Sequence, residues 1–562
     1  MELFGSAVTT ANGILWGVPM VAALLAAGGW FSLRTGFFQL RHTPLWFRST
    51  IKPVSSGGDG ELTPLQAMTS ALAATLGNGN IAGVAVALTM GGAGAVFWMW
   101  VSAILGMMTG YAENVLGAVY RRKTPDGMQG GAMYYIRDGL SQRRFVGRLA
   151  KPLSAVFAAA CILSAFGTGN LVQVNSAAQV MRSGFGIPQW VTGAALAVCI
   201  GFIALGGRRS KKGGMGRAAS VTSGLVPLMS AFYIAGAVFI LAANITRLPD
   251  MLGMIFRSAF GLEAAAGGVN GYMVKQAVSM GFRRGVFSNE AGLGTSVTAH
   301  SCSGEKEPCI IGMWSIFEVF FDTLVMCSLT AFVLLASPCH AVTAQEAFNT
   351  VSLSPQYFRL TDESGLLCGG TPVLTVGGGE EQRFLTIYGD SFTQPLSHGG
   401  NSFSNVMRLT GVQAQDGTGK PLFSDEAQEC PVISGVLLEE VTGAELVTLA
   451  FSSVFGGAAG KLLSAAAVLF ALSTLTGRSG FGAGAAVFLF GERARLPFLV
   501  IFTAFTAVGA VVDISAAWGA ADLFNGIMAA VNLPVVLCLS GTVMKEHRRF
   551  TSSLRRKRGI LR

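Results

Sequence analysis

The sequence predicts an all-α polytopic membrane protein with a five-plus-five inverted repeat of transmembrane helices and one helix added at the N-terminus. Composition is the first reason, because 51% of the 562 residues are hydrophobic and only 12% are charged, whereas soluble domains carry roughly 25% charged residues. The second reason is a series of apolar runs of 18 or more residues, each long enough to cross a bilayer. The third reason is that two of these runs are interrupted at their centres.

Eleven apolar runs follow one another along the chain. With bounds read from hydropathy alone, they lie near residues 14–33, 61–90, 92–119, 151–182, 187–206, 218–244, 271–301, 308–336, 442–476, 496–513 and 516–542. If the first run is an addition, the remaining ten form two sets of five. Because five is odd, the two sets have opposite orientations in the membrane, which is the inverted repeat of many transporters.

Basic residues predict the orientation. Clusters of Lys and Arg lie in the loops after the first, third and fifth runs and in the tail, and the eleven-span threading places all four clusters on one side. Since cytoplasmic loops are enriched in Lys and Arg, we expect a cell-membrane protein with its N-terminus outside and its C-terminus in the cytoplasm. This placement explains the net charge of +10 without nucleic-acid binding. The predicted parts are residues 1–336 (spans one to eight), 337–441 (an insertion), 442–544 (spans nine to eleven) and 545–562 (a basic cytoplasmic tail).

The insertion at residues 337–441 is polar and rich in glycine. Alternating stretches such as residues 383–388, Arg-Phe-Leu-Thr-Ile-Tyr, are typical of strands. The prediction is a small β-rich extracellular domain, with disorder as the alternative. Outside the cytoplasm, one disulfide among Cys339, Cys368 and Cys430 is an open possibility.

Glycine and asparagine interrupt two of the apolar runs. Residues 73–84 read Ala-Ala-Thr-Leu-Gly-Asn-Gly-Asn-Ile-Ala-Gly-Val, and residues 285–294 read Gly-Val-Phe-Ser-Asn-Glu-Ala-Gly-Leu-Gly. Broken helices at matching places in two halves point to a transporter's binding site. The N-terminal end of a half-helix binds a carboxylate, and carbonyls at the opposite end suit a hard cation. The pattern therefore indicates a secondary transporter of a zwitterionic solute.

Several motifs resemble the alanine or glycine:cation symporter family. They are the two broken segments together with Gly94–Trp100, Gly130–Ile136 and Glu318–Thr323, and the resemblance covers nearly the whole chain outside 337–441. It implies a leucine-transporter-like fold and sodium- or proton-coupled symport of a small amino acid such as alanine or glycine. An enzyme is not expected, because the sequence has no HExxH, GxSxG or similar motif. The expected partners are that amino acid, the coupling cation and the lipid bilayer, and the expected state is a monomer.

The resemblance also implies roles for individual residues. The substrate is expected to contact Asn78, Gly79, Asn80, Gln173, Phe287, Ser288, Asn289, Thr474 and Arg478. The expected sodium ligands are Ala73, Leu76, Ser473 and Thr474, through carbonyls before the first break and hydroxyls on a later span.

The chain departs from the family at Arg478, which replaces a large aromatic residue of the pocket wall. Two interpretations stay open: a guanidinium that faces the pocket and favours a second acceptor group on the substrate, or one that snorkels to the inner surface. Arg283 and Arg284 are expected to snorkel. Glu318 and Asp322, spaced i,i+4, are expected to share a helix face, as a structural pair or as a proton or cation site. This departure and the large insertion motivate an alternative function, an amino-acid sensor that keeps the pocket without efficient transport.

Overall fold

The computed structural model describes residues 2–51, 62–124, 127–205, 214–261, 269–337, 443–455, 457–512 and 514–560, together with short strands between 357 and 441. The predicted Cys339, Cys368 and Cys430 lie outside the described residues. The N-terminal half contains α1 (Glu2–Leu15), α2 (Val18–Arg34), α3 (Phe38–Arg41), α4 (Thr43–Ile51), α5 (Pro64–Thr75), α6 (Val84–Gly91), α7 (Gly94–Tyr120), α8 (Ala132–Tyr134), α9 (Ala150–Phe166), α10 (Val172–Phe185), α11 (Gln189–Leu205) and α12 (Gly214–Ala243).

The second half begins with an amphipathic helix that precedes the next long helix. Its elements are α13 (Leu248–Phe260), α14 (Val269–Asn289), α15 (Val297–Ser301), α16 (Pro308–Val319), α17 (Ser328–Ala336), α18 (Gly443–Phe455), α19 (Gly457–Phe490), α20 (Arg495–Gly509), α21 (Ile514–Cys538) and α22 (Ser540–Ile560). Short π-helical segments, called π-turns below, occur at Gly79–Gly83, Tyr135–Gly139, Gly167–Leu171 and Phe320–Cys327. Such π-turns are frequent at functional sites.

The strands are short and few. A hairpin, β1 (Arg122–Thr124) and β2 (Gly127–Gln129), follows α7. Between α17 and α18 lie β3 (Tyr357–Phe358), β4 (Leu360–Thr361), β5 (Val373–Thr375), β6 (Phe384–Tyr388), β7 (Ser391–Thr393), β8 (Ser397–His398), β9 (Asn401–Ser402), β10 (Val406–Thr410) and β11 (Leu438–Val441). They pair as β3-β7-β6-β5, β11-β10-β4 and β8-β9. The strand expected from residues 383–388 is therefore present as β6.

Six helical stretches of the described residues are long and apolar enough to cross a membrane, or seven when α5 and the segment Gly79–Gly91, bent by 45°, count as one span. Large apolar side chains face outward from these helices, for example Leu228 and Phe239 of α12, which are 66% and 59% exposed. An outward apolar face fits lipid rather than water. The structure is thus an all-α polytopic membrane protein, as predicted, whereas the eleven-span count and the inverted repeat stay predictions.

The predicted bounds fail at one span. The run at 442–476 was expected to be a single helix, but α18 ends at Phe455 and α19 starts at Gly457 and continues to Phe490. Gly477, Gly480, Gly482 and Gly484 did not end the helix, because packing overrides the low intrinsic helix propensity of glycine. At Gly477 and Gly482, added side chains would touch Ser70 and Ala74 of α5 or Phe498 of α20, so these glycines allow helices to approach closely.

Helix α7 is the centre of the packing, since α2, α14 and α16 all lie against it. Gly281 of α14 brings two backbones together, because a Cβ there would lie 2.5 Å from Cβ of Trp98 and 2.6 Å from the carbonyl oxygen of Ala95. Both atoms belong to α7 and the carbonyl is backbone, so neither moves without shifting the helix.

We expect Gly281→Ala to lower stability by about 1–3 kcal/mol, the cost of an overpacked helix contact. The matched control is Gly224→Ala, since Gly224 of α12 has nothing within 4 Å of its missing Cβ. That change should be neutral or stabilise by up to about 1 kcal/mol. Thermal denaturation of the two variants in detergent measures the difference, and equal melting temperatures would contradict the close α7–α14 contact.

Candidate functional site

The first predicted break is present and is held by local hydrogen bonds. Helix α5 starts with a capping box, in which the Thr63 hydroxyl accepts from the Gln66 amide and the Gln66 side chain accepts from the Thr63 amide. It ends at Thr75, and the ψ of 89° at the next residue, Leu76, leaves the helical region. The Gly77 amide then donates to the side-chain oxygen of Asn80 at 3.1 Å. Asn80 thus replaces the backbone acceptor that the break removes.

Hydrogen bonds between Asn78 and Gln173 connect the first break to the fourth predicted span. The Asn78 backbone amide donates to Oε1 of Gln173 at 2.9 Å, and the Asn78 side-chain amide donates to the Gln173 carbonyl at 3.0 Å. Gln173 lies in α10, directly after the π-turn Gly167–Leu171. Both predicted residues are buried, and their hydrogen bonds to each other place them as supports of the broken segment.

Two of the residues predicted for sodium, Leu76 and Thr474, meet at the same break. The Thr474 hydroxyl lies 3.4 Å from the Leu76 carbonyl oxygen, and a Cβ on Gly77 would collide with that hydroxyl and lie 2.8 Å from Oε1 of Gln173. The Ser473 hydroxyl is buried and has no hydrogen-bond partner within the described part of the chain. Ala73 is fully buried in the last turn of α5. A carbonyl, a hydroxyl and an unpartnered hydroxyl are the oxygen donors that a hard cation takes.

The second break begins later than the sequence indicated. Gly285–Ser288 remain in α14, which ends at Asn289, and the chain unwinds only from Glu290, which has a φ of +59°. The Asn289 side chain accepts from the Ala291 amide at 3.0 Å and donates to the Thr323 hydroxyl at 3.0 Å. Asn289 therefore satisfies the Ala291 amide that the break frees.

A carboxylate joins the two breaks. Asp322 accepts from the Asn80 side-chain amide at 2.6 Å, from the Ser288 hydroxyl at 2.7 Å and from the Thr323 hydroxyl at 2.9 Å. It lies in the π-turn Phe320–Cys327 and is fully buried. The sequence relates Asp322 only to Glu318, through their spacing, and no local pattern places it against the two breaks. Its junction with Asn80 and Ser288 is created by the packing of α16–α17 against both.

An aromatic pair lies next to the first break. The Phe287 ring edge would be 3.3 Å from a Cβ on Gly79, and Phe287 packs against Trp518 with ring centroids 4.6 Å apart. Behind them, Arg284 lies 4.4 Å above the Trp518 ring and donates to Asp522 at 2.8 Å. Arg283 also pairs with Asp522. The expectation that both arginines snorkel is therefore wrong, because α21 supplies a buried carboxylate that neutralises part of their charge.

Arg478 is buried, and its guanidinium forms an ion pair with Glu290 at the second break. Its aliphatic part packs on Gly169, where a Cβ would lie 2.7 Å from Cβ of Arg478. The snorkelling interpretation is wrong, since a partner inside the protein keeps the charge from the surface. The pocket-facing interpretation also changes: Glu290 already takes the positive charge that was expected for a second acceptor group on the substrate.

Eight of the predicted residues are thus brought together in three groups around the two helix breaks. Gly79 and Asn80 lie against Phe287 and Ser288, Asn78 lies against Gln173, and Leu76 lies against Thr474. Arg478 forms its ion pair with Glu290, the residue that follows Asn289. This arrangement defines a polytopic α-helical membrane protein with a polar junction of broken helices at its centre, which is the architecture of secondary transporters.

The chain belongs to the sodium:alanine symporter family, whose model matches residues 1–359 and 430–560. The matched ranges contain both breaks and every predicted site residue. The stretch left out, 360–429, lies within the insertion.

Individual relatives extend over most of the chain. It is similar to the sodium/alanine symporter AgcS of Methanococcus maripaludis, with 32% identity over 549 residues, 97% of each chain. From Bacillus subtilis, the probable sodium/glutamine symporter GlnT is 35% identical over 62% of this chain and 67% of its own. The amino-acid carrier protein AlsT of the same organism is 33% identical over 59% of this chain and 67% of its own.

We expect Arg478→Met to destabilise the protein by about 3–5 kcal/mol, because it leaves the buried Glu290 carboxylate without its partner. The double variant Arg478→Met with Glu290→Gln should recover most of that loss, since no unpaired charge remains. Thermal denaturation of the wild type, both single variants and the double variant gives the coupling energy. Additive effects of the two substitutions would show that the ion pair does not stabilise the fold.

Proposed function

We propose that this protein is a secondary active transporter that moves a small amino acid, such as alanine or glycine, together with sodium. The observation that carries the proposal is the junction of the two broken helices, where Asn80 and Ser288 meet at one carboxylate, Asp322. Membership of a family of cation-coupled amino acid transporters supports the same class of function. The family is one of transporters, and the chain is not proposed to catalyse a reaction.

The substrate is proposed to bind at the two breaks, beside Gly79, Asn80, Phe287, Ser288 and Asn289. The segment after the first break starts at Gly79, and the N-terminal end of such a half-helix attracts a carboxylate. Phe287, packed on Trp518, supplies an apolar surface for a small side chain. Asn78, Gln173 and Thr474 hold the broken segment in place.

Sodium is the proposed coupling cation. Leu76 and Ala73 would supply carbonyl oxygens, and Ser473 and Thr474 would supply hydroxyl oxygens. The unpartnered Ser473 hydroxyl and the 3.4 Å distance between Thr474 and Leu76 fit a site whose oxygens are shared with a bound cation. A cation there would tie α19 to the broken helix and so favour one arrangement of the break.

A sensor is the second candidate, because the Arg478–Glu290 ion pair joins α19 to the second break. This ion pair would hold the pocket in one conformation and slow a transport cycle. Purified protein in liposomes separates the two functions. A transporter accumulates radiolabelled L-alanine under an inward sodium gradient and loses that uptake when choline replaces sodium, whereas a sensor binds L-alanine without accumulating it.

We expect the double variant Ser473→Ala with Thr474→Ala to raise the sodium concentration for half-maximal L-alanine uptake at least tenfold, because two hard oxygen ligands are lost. The matched control is Thr476→Ala, whose hydroxyl donates at 2.7 Å to the Leu472 carbonyl of its own helix. It should leave sodium activation unchanged. Wild-type sodium activation in the double variant would place the cation elsewhere.

The proposed topology has the insertion outside the cell and the tail inside, as the basic loops indicate. A cysteine introduced at Ser397 should react with a membrane-impermeant maleimide in intact cells, and one at Ser552 should react only after permeabilisation. The parent protein controls for its nine native cysteines. Labelling of Ser552→Cys in intact cells, with Ser397→Cys protected, would reverse the orientation.

A further inference from the structure

Two buried titratable side chains face each other away from the proposed sodium site. Nε2 of His300 lies 4.0 Å from Oε2 of Glu318, and the two side chains are 0% and 1% exposed. Among the described residues, neither Nε2 of His300 nor either carboxyl oxygen of Glu318 has a hydrogen-bond partner. Buried polar atoms are nearly always paired, so a hydrogen bond between these two groups is the pairing to expect.

The hydrogen bonds of Asn114 show which nitrogen of His300 carries the hydrogen. Its side-chain amide donates to the Gly110 carbonyl at 3.0 Å, so its oxygen is the acceptor that lies 2.9 Å from Nδ1 of His300. Nδ1 therefore carries the hydrogen, and in a neutral imidazole Nε2 then holds a lone pair. Two acceptors, Nε2 and an ionised carboxylate, face each other with no donor between them.

We propose that His300 and Glu318 together bind one proton and release it during the transport cycle, which makes this pair a proton-coupling site distinct from the sodium site. The inference rests on the proposed function, since the cycle is that of the proposed transporter. A single proton supplies the missing donor and lets the two groups close to a hydrogen bond of about 2.7–2.9 Å. A metal cation fits poorly, because hard cations prefer several oxygen ligands and this contact has one nitrogen and one carboxyl group.

The surroundings favour a proton. Besides His300, the charged groups close enough to act electrostatically on Glu318 include two more acids, Asp322, one turn further along, and Glu113 of α7. Among the described residues, the ion pairs of Lys and Arg do not include Glu318 or Asp322. An uncompensated carboxylate within a membrane protein is costly, and protonation removes that cost.

The pair is also connected to both breaks. Glu318 lies beside Thr75, the last residue of α5. The Thr75 hydroxyl is directed at the Leu72 and Ala71 carbonyls, at 3.3 and 3.4 Å, and therefore does not serve as the donor to Glu318. Glu318 shares its helix with Asp322, which binds Asn80 and Ser288. His300 lies in α15, directly after the second break. Opening of either break would change the distance between the two groups and therefore the affinity for the proton.

The transport test uses the full-length protein in liposomes that contain the pH dye pyranine. Sodium concentrations are equal on both sides, and the membrane potential is clamped with valinomycin and potassium. Added L-alanine should acidify the interior of wild-type liposomes. Glu318→Gln should reduce acidification at least tenfold, because the Gln amide donates permanently to Nε2 of His300. The matched control, Glu492→Gln, changes a carboxyl whose side chain is 52% exposed and should acidify like the wild type.

A direct test of proton binding uses Trp314, whose ring lies edge-on to His300 with centroids 5.9 Å apart. Protonation of the pair should change tryptophan fluorescence in a pH titration of the purified protein. The step should disappear in His300→Gln, in Glu318→Gln and in the reporter control Trp314→Phe. His300→Gln also replaces Glu318→Gln if that variant does not fold.

The outcomes of the two tests are distinguishable. L-Alanine uptake without acidification in the wild type, or wild-type acidification in Glu318→Gln, overturns the proton site and leaves sodium-coupled transport intact. If the wild type takes up no L-alanine under any gradient, the proposed function fails, and the fluorescence titration decides proton binding alone. A step that is lost in both variants supports the site, and a wild-type titration without a step overturns it.

Discussion

The interruption of two helices inside a membrane protein is the constraint on which the rest of the structure depends. Each break frees backbone amides and carbonyls that lipid cannot satisfy, so the protein must supply partners from neighbouring elements. Asn80 and Asn289 supply them from within the broken segments, and Gln173 supplies them from α10. The polar groups needed to stabilise the breaks are then also the groups available to a solute.

Asp322 is the residue at which hydrogen bonds from both breaks meet. Its carboxylate accepts from Asn80 of the first break and Ser288 of the second, so the two breaks are fixed relative to each other through a third element. A shift of either break must therefore lengthen a charge-assisted hydrogen bond in a buried site, where such bonds are strong. The junction gives a physical reason for expecting the two broken helices to act as one unit.

Buried charges elsewhere follow the same principle of local compensation. Arg478 pairs with Glu290, and Arg283 and Arg284 share Asp522. Asn532 donates to Glu113, which also accepts from the Gly292 amide after the second break at 3.3 Å. Ionisable groups in membrane proteins are costly and mark functional positions when retained. The His300–Glu318 contact differs because it holds two acceptors and no donor, which is why it carries the inference of a bound proton.

The class of fold and the approximate positions of the two breaks could be predicted from the sequence alone, although the second break begins only at Glu290. Apolar runs follow from the thickness of the hydrocarbon core, and Gly-Asn interruptions within them are local chemistry, so both are visible along the chain. Family motifs placed Asn78, Asn80, Gln173 and Ser288 in one region, and the structure brings them into contact. The extension of α19 through several glycines was not predictable, since tertiary packing decides it.

The partners of the buried charges could be identified only from the packed structure. Arg478 and Glu290 are 188 residues apart and Asn80 and Asp322 are 242 residues apart, so no periodicity or spacing relates them. Arg284 and Asp522 are separated by 238 residues. A buried charge is stable only beside its partner, and which partner it meets depends on which helices pack together. For that reason the sequence showed where the helices break, and the packing of distant helices decided what holds each break together.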